Sequence, residues 1–220
     1  MNFKLNFKYF IKIIFFMFFV KPVVFIALGL NIRGRLNLPK EGPVIIAANH
    51  TSHLDALVLM SLFPLADLHK VRPVAAADYF MKNKWIAWFS VYCLDIIPFN
   101  RFDAASKSTL FKTCYEALDK DQIIILFPKG TRSSNAQDSI SKLKRGVFHL
   151  VKDRPKTKII PVLLHGLGKS LPKGTALFVP FNCDVMIDNI LVIKPNEDAH
   201  LSIKRLEDRY QALLEMCVTS

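Results

Sequence analysis

"PVIIAANHTSHLDALVLMSL", residues 43–62, decides the architecture. Residues 43–48 are apolar without alternation, the pattern of a strand covered on both faces. "LDALVLMSL" then reads as a helix, so a strand passes to a helix through the polar stretch Asn49-His50-Thr51-Ser52-His53. Three readings compete for that stretch. Ser52 and Asp55 match the S-x-x-D capping box of a helix start. His50, His53 and Asp55 are all possible metal ligands. His50 oriented by Asp55 would make a general base, because a carboxylate on one ring nitrogen leaves the other to accept a proton. The cap and the base are compatible.

The same alternation continues along the chain. "VRPVAAA", "DIIPF", "QIIILF" and "KIIPVLLH" read as strands, with Pro161 expected near an edge or end. Further strands are expected around "ALFVPF", "DVMI" and "ILVIK". "NKWIAWFSVYCL" and "GVFHLVK" read as helices, and so do the apolar faces Leu110/Phe111/Cys114/Tyr115/Leu118 and Ile203/Leu206/Tyr210/Leu213/Leu214/Cys217. The expected fold is α/β, a mixed β-sheet flanked by helices, with an N-terminal membrane-inserted helical hairpin. Residues 1–38 would be the membrane-associated segment and 39–220 the α/β domain.

The chain of 220 residues is 51% hydrophobic and 22% charged, which excludes a disordered chain. Its four cysteines form no C-x-x-C pair and suit reduced thiols. Net charge is +12, and residues 1–40 hold seven Lys or Arg, no acid and eight of the eighteen phenylalanines. The other 180 residues carry 23 basic and 18 acidic side chains, a surplus of five. Positive charge among bulky apolar residues suits an anionic membrane surface, and the stretch is too apolar for a nucleic-acid arm. "IIFFMFFVKPVVFIALGL", residues 13–30, would span about 27 Å as one helix. Lys21-Pro22 interrupts it, which favours two short helices in one leaflet over a tilted span or a signal peptide.

Downstream, "IIPFNR" carries Arg101 and "ILFPKGTRS" ends a strand in a turn. With the opening stretch, these resemble the four ordered blocks of the glycerophospholipid acyltransferase family, lysophosphatidate acyltransferase type. N-H-x-x-x-x-D is matched by Asn49, His50 and Asp55, and I-P-x-x-R by Ile97, Pro98 and Arg101. F-P-E-G-T-R-S is matched at Phe127, Pro128, Gly130, Thr131, Arg132 and Ser133, and the I-x-P-V block at Ile159, Pro161 and Val162. The third block departs at Lys129, where the family carries glutamate, and Asp95 stands where a glycine is common.

The resemblance implies transfer of an acyl group from acyl carrier protein or coenzyme A to the hydroxyl of a lysophospholipid, 1-acyl-glycerol-3-phosphate first. No resident cofactor is implied. His50 and Asp55 would be catalytic, Gly130 and Thr131 would offer N–H groups to an oxyanion, and Arg101, Lys129 and Arg132 would hold the acceptor. Pro161 would belong to the acyl pocket or to the structure. A membrane-associated enzyme on the cytoplasmic face, the inner membrane in a bacterium, is expected. A metal-dependent hydrolase using His50, His53 and Asp55 stays open, as does a non-catalytic relative altered at Lys129. The leading glycine and G-K-[ST] order of a phosphate loop are absent around Lys129. His149 and His165 read as structural, and Trp85 and Trp88 as core or bilayer-interface residues.

Overall fold

The computed structural model describes residues 3–76, 83–100, 104–133, 135–167, 183–194 and 196–218. Seven strands form one sheet: β1 (Leu30–Arg33), β2 (Val44–Ala48), β3 (Val71–Ala76), β4 (Ile97–Phe99), β5 (Ile123–Leu126), β6 (Lys158–His165) and β7 (Cys183–Ile187). Their order is β1-β7-β6-β2-β5-β3-β4, and β6–β7 is the antiparallel pair in an otherwise parallel ladder. β2 is buried along its whole length near the middle of the sheet, which explains its unbroken apolar run.

The strands' alternating side chains feed two cores. Val44, Ile46 and Ala48 face one way, with Ile123, Ile125, Val162 and Leu164. They are covered by α2 (Asp55–Ser61) and the N-terminal helix, α1 (Phe3–Phe15) with its continuation. Ile45, Ala47, Ile124, Ile159 and Leu163 face the other way. Helices α4 (Ala104–Leu118), α6 (Gly146–Val151) and α7 (Ala199–Val218) cover that side. Two shorter helices, α3 (Lys84–Phe89) and α5 (Ala136–Ser139), complete the set. Cys93, Cys114 and Cys183 are buried, Cys217 is partly exposed, and no disulfide joins them among the described residues.

Two strand expectations need correction. Pro161 lies inside β6, an interior strand, and not near an edge. Its carbonyl accepts from Asp188 N–H, so its ring nitrogen faces the same side, just beyond the last β6–β7 pair, Val162–Ile187. No ladder donor is needed there. "ILVIK" is not a strand: it contributes only an isolated bridge, Leu191 to Ile159, and Ile190 and Val192 are exposed. "ALFVPF" lies outside the described residues.

The N-terminal hairpin is not formed. Helix α1 runs on through π-turns at Phe16–Val20 and Val23–Ala27, and Lys21 and Pro22 keep helical dihedrals between them. The wider i→i+5 bonds, Lys21 N–H to Phe16 O and Leu28 N–H to Val23 O, absorb the donor that Pro22 lacks. Lys12, Phe16, Val20, Val24 and Leu28 form a buried stripe, while Phe7, Phe10, Phe18, Phe19 and Ile26 face outward. The lysines turn inward too. Lys21 Nζ donates to Ser61 O and Phe63 O at 2.8 and 2.9 Å, Lys12 Nζ to Val71 O at 2.9 Å, and Lys8 pairs with Asp95 at 2.5 Å.

That last contact accounts for Asp95. It ends the Ser90–Leu94 turn after α3 with φ 55° and ψ 47°, the left-handed conformation that favours glycine. Aspartate is among the few other residues that tolerate it, and here its carboxylate also meets Arg72 at 3.5 Å.

Burial is the main effect on Lys12; the nearby Asp95 opposes it, while Lys8 and Arg72 add to it, bringing the ammonium from 10.5 down to about 7. Between those values the unfolded chain holds the proton that the folded chain has lost. Stability from this group therefore rises with pH through that window and is flat below it. Urea unfolding at pH 7 and about pH 9.5 should show wild type gaining on the order of 2 kcal/mol over Lys12→Met. Parallel pH profiles for the two proteins would contradict this.

Candidate active site

Strand β2 delivers Asn49 and His50 at its end. Asn49 is buried and ties β2 to β6: its amide donates to Leu164 O at 2.9 Å and accepts from Leu164 N at 2.7 Å. It also donates to Ser139 Oγ at 2.9 Å. With that joint fixed, His50 Nδ1 lies 2.8 Å from Oδ2 of Asp55, the first residue of α2. A carboxylate only accepts, so Nδ1 carries the proton and Nε2 is left with its lone pair.

The same Oδ2 accepts Thr51 N–H at 2.7 Å and Ser52 N–H at 2.9 Å. Cap and dyad are thus built on one fully buried carboxylate. Ser52 itself does not take the N-cap position, which falls at Leu54; its Oγ accepts from Leu54 N–H. Phe127 stacks on the imidazole, ring centroids 4.2 Å apart, and fixes its plane.

The third block closes over this pair. β5 ends at Leu126, and Gly130 N–H donates to Phe127 O at 2.9 Å, while Ser133 N–H donates to His50 O at 3.0 Å. Gly130 has φ +75°, the left-handed conformation that favours glycine, and a Cβ there would also press on the flexible tip of Lys144, Nζ at 3.1 Å. Its N–H is already used within the turn, which removes it as an oxyanion donor; Thr131, the other N–H the motif offers, is not among the residues that line the cavity.

Lys129 departs from expectation. It turns out of the site to Asp138, meeting Oδ1 at 2.8 Å and also the backbone carbonyl of that residue. This ion pair holds the Asp138 carboxyl below its usual range. Arg132 reaches His53, whose Nε2 accepts from the guanidinium. Burial, the Arg132 charge and His50 lower the His53 pKa. The guanidinium takes the Nε2 lone pair of His53 and its charge repels a cation, and His50, His53 and Asp55 do not converge as a three-donor set among the described residues. Arg101 lies outside the described residues. Pro161 sits beside Ala47 in the sheet and does not line the cavity.

A cavity of about 640 Å³ opens beside the dyad. His50, His53, Gly130 and Arg132 line it together with an apolar wall that includes Val74, Ile96, Leu110 and Phe111. Lys107, Lys144 and His149 line it too, and sequence reading missed all three as site residues. Lys107 lies on α4 with no local motif around it. Lys144 had one available signal: it directly precedes "RGVFHLV", the helix packed beneath the third-block turn, and its N–H donates to Pro128 O at 2.9 Å. No Asp or Glu lines the cavity among the described residues, so its polar end is cationic.

The Acyltransferase family model matches residues 29–165, which includes the whole of this site. The chain belongs to that family. Within it, the chain is similar to proteins named 1-acyl-sn-glycerol-3-phosphate acyltransferase. It is 30% identical to the chloroplastic LPAT1 of Arabidopsis thaliana over 66% of this chain and 38% of that protein. It is 25% identical to the alpha form of Homo sapiens over 71% and 53%, and 29% identical to the Saccharomyces cerevisiae protein over 82% and 56%. The chain thus spans between 38% and 56% of the length of these relatives. In fold, this acyltransferase-family chain matches the crystal structure of the 1-acyl-sn-glycerophosphate acyltransferase PlsC from Thermotoga maritima. The TM-score is 0.72 at 19% identity, covering 91% of this chain and 79% of that one.

Proposed function

We propose that the protein is a membrane-bound O-acyltransferase that moves a fatty acyl group from a thioester to the free hydroxyl of 1-acyl-glycerol-3-phosphate. The observation that carries this reading is the His50–Asp55 pair, 2.8 Å apart, at a cavity with an apolar wall and a cationic end. The names of the similar proteins support the acceptor.

His50 Nε2 takes the hydroxyl proton as the oxygen attacks the thioester carbonyl, and Asp55 stabilises the imidazolium that forms. Collapse of the tetrahedral intermediate breaks the C–S bond while His50 returns the proton to the departing thiolate. Lys107, Lys144 and Arg132 meet the acceptor phosphate by charge-assisted hydrogen bonds, with Arg101 assigned to the same role on its motif position. The reaction so written needs no resident metal or cofactor. Acyl carrier protein and coenzyme A are both anionic donors suited to a basic chain.

The protein works from an anionic membrane surface, on the cytoplasmic face and at the inner membrane if the source is bacterial. By length and composition, the helix Phe7–Ala27 is sufficient to cross a membrane. Its inner stripe, however, is packed on the sheet, and its outer side carries the exposed phenylalanines. In-plane insertion into one leaflet keeps both faces satisfied.

Thioester release measured with acyl-CoA and acyl carrier protein donors, across lysophosphatidate and lysolipids with larger headgroups, tests the whole reading. Release with lysophosphatidate supports it, and silence with every pair would favour the non-catalytic relative. Two substitutions sharpen the acceptor assignment. Because Lys129 turns away to Asp138, Lys129→Glu should leave the acceptor profile intact. Lys144→Ala should raise KM for the phosphate acceptor about tenfold, since a hydrogen bond to a charged group contributes about 1.5–3 kcal/mol. A changed acceptor preference in Lys129→Glu, with Lys144→Ala silent, would reverse the assignment.

A further inference from the structure

A second cluster of chemically active side chains lies away from the dyad. His165 ends β6, Asp184 faces it directly across the antiparallel β6–β7 pair, and Cys217 comes from the last turn of α7. Cys217 Sγ lies 3.5 Å from His165 Nδ1 and 3.4 Å from Asp184 Oδ2, and the imidazole and carboxylate atoms are 4.0 Å apart. Bond lengths to zinc of about 2.0–2.3 Å place donor atoms on the corners of a tetrahedron roughly 3.3–3.6 Å apart. The three donors already stand near that spacing.

Their surroundings orient them. Asn31 Nδ2 donates to Asp184 Oδ1 at 2.8 Å, which leaves Oδ2 directed at the thiol and the imidazole. Such an outer hydrogen bond fixes a ligating carboxylate. All three residues are partly exposed, which gives an ion a way in and a solvent position for a fourth ligand. The carbonyl end of α7, a helix of 20 residues, adds partial negative charge. Arg33 is the opposing cation and is outnumbered once the thiol ionises beside the carboxylate.

The same residues do not make a nucleophilic triad. There the carboxylate would orient the imidazole from its far nitrogen, whereas Asp184 touches the thiol itself. Burial and the Asp184 carboxylate push the Cys217 thiol up to about 11, against nucleophilic use.

We infer that His165, Asp184 and Cys217 form a binding site for a zinc-class divalent cation, pinning the end of α7 to the β6–β7 edge. Binding replaces the thiol S–H by a metal–sulfur bond and releases that proton to solvent.

Cobalt(II) titrated into the full-length, metal-stripped protein reads the site directly. One ion per chain should bind, with a near-ultraviolet thiolate-to-cobalt charge-transfer band that zinc abolishes by displacement. Cys217→Ser and Asp184→Asn should lose the band while acyl transfer persists. Because a variant can misfold, alkylation of Cys217 in wild type provides a second measure: saturating zinc should slow it at least about tenfold. Absence of the band together with zinc-independent alkylation would overturn the proposal, as would a band that survives in Cys217→Ser.

Discussion

Asp55→Asn should lower kcat by roughly 10²–10⁴-fold with little change in KM for either substrate, the range for loss of general acid–base catalysis. Geometry favours this substitution as the test. One oxygen, Oδ2, accepts from His50 Nδ1, Thr51 N and Ser52 N, and Oδ1 has no hydrogen-bond partner among the described residues. An asparagine with its carbonyl at the Oδ2 position keeps all three bonds, the cap and the imidazole tautomer. The change removes the negative charge that stabilises the imidazolium as the hydroxyl proton arrives, and it puts an amide NH2 where Oδ1 had no partner, at a cost in stability of about 1–3 kcal/mol. Asp55→Ala is a poorer test, because it strands three donors at about 1–3 kcal/mol each and threatens the fold. His50→Ala should match Asp55→Asn or exceed it. Near-normal turnover in Asp55→Asn, checked by circular dichroism for an unchanged fold, would reduce the pair to a helix cap.

That carboxylate also shows how far sequence reaches. Capping and the His50–Asp55 pair are compatible readings of one stretch, and both draw on the same carboxylate oxygen. The strands were legible because a mostly parallel sheet is buried on both faces, so "VIIAA" and "IIIL" needed no alternation. What stayed hidden depends on partners distant in sequence. Lys129 sits in a tight turn whose side chains leave to either side, and Asp138, nine residues on, selects the outward one. Lys107 enters the cavity from a helix that carries no motif, and Lys144 from the loop just before α6. Pro22 looked like a break because the bond it lacks is normally required, and two π-turns redistribute that requirement. "ILVIK" has strand composition, yet only Leu191 finds a partner.

The other large effect concerns the outward face of the N-terminal helix. Replacing Phe18, Phe19 and Ile26 together by serine should weaken binding to anionic vesicles at least about a hundredfold, since each apolar side chain contributes roughly 1.5–3 kcal/mol when fully buried. These three are 62%, 62% and 82% exposed, so the protein's own core loses little. Deleting residues 1–30 is less informative. It would also strip Phe16, Val20, Val24 and Leu28 from the sheet and leave an aggregation-prone surface. The direction of the lysines sets the salt response. Lys8, Lys12 and Lys21 are spent on Asp95, Val71 O and the Ser61 and Phe63 carbonyls, so they are not free to pair with headgroups. Attachment then rests mainly on apolar insertion, with Arg33, Arg35 and Lys40 adding a screened component. Flotation with vesicles should therefore show wild type largely retained at 1 M salt, roughly a 3 Å screening length, and the triple serine variant released even at low salt. Complete release of wild type by salt, or full retention of the variant, would place the attachment on charge instead of on the phenylalanine face.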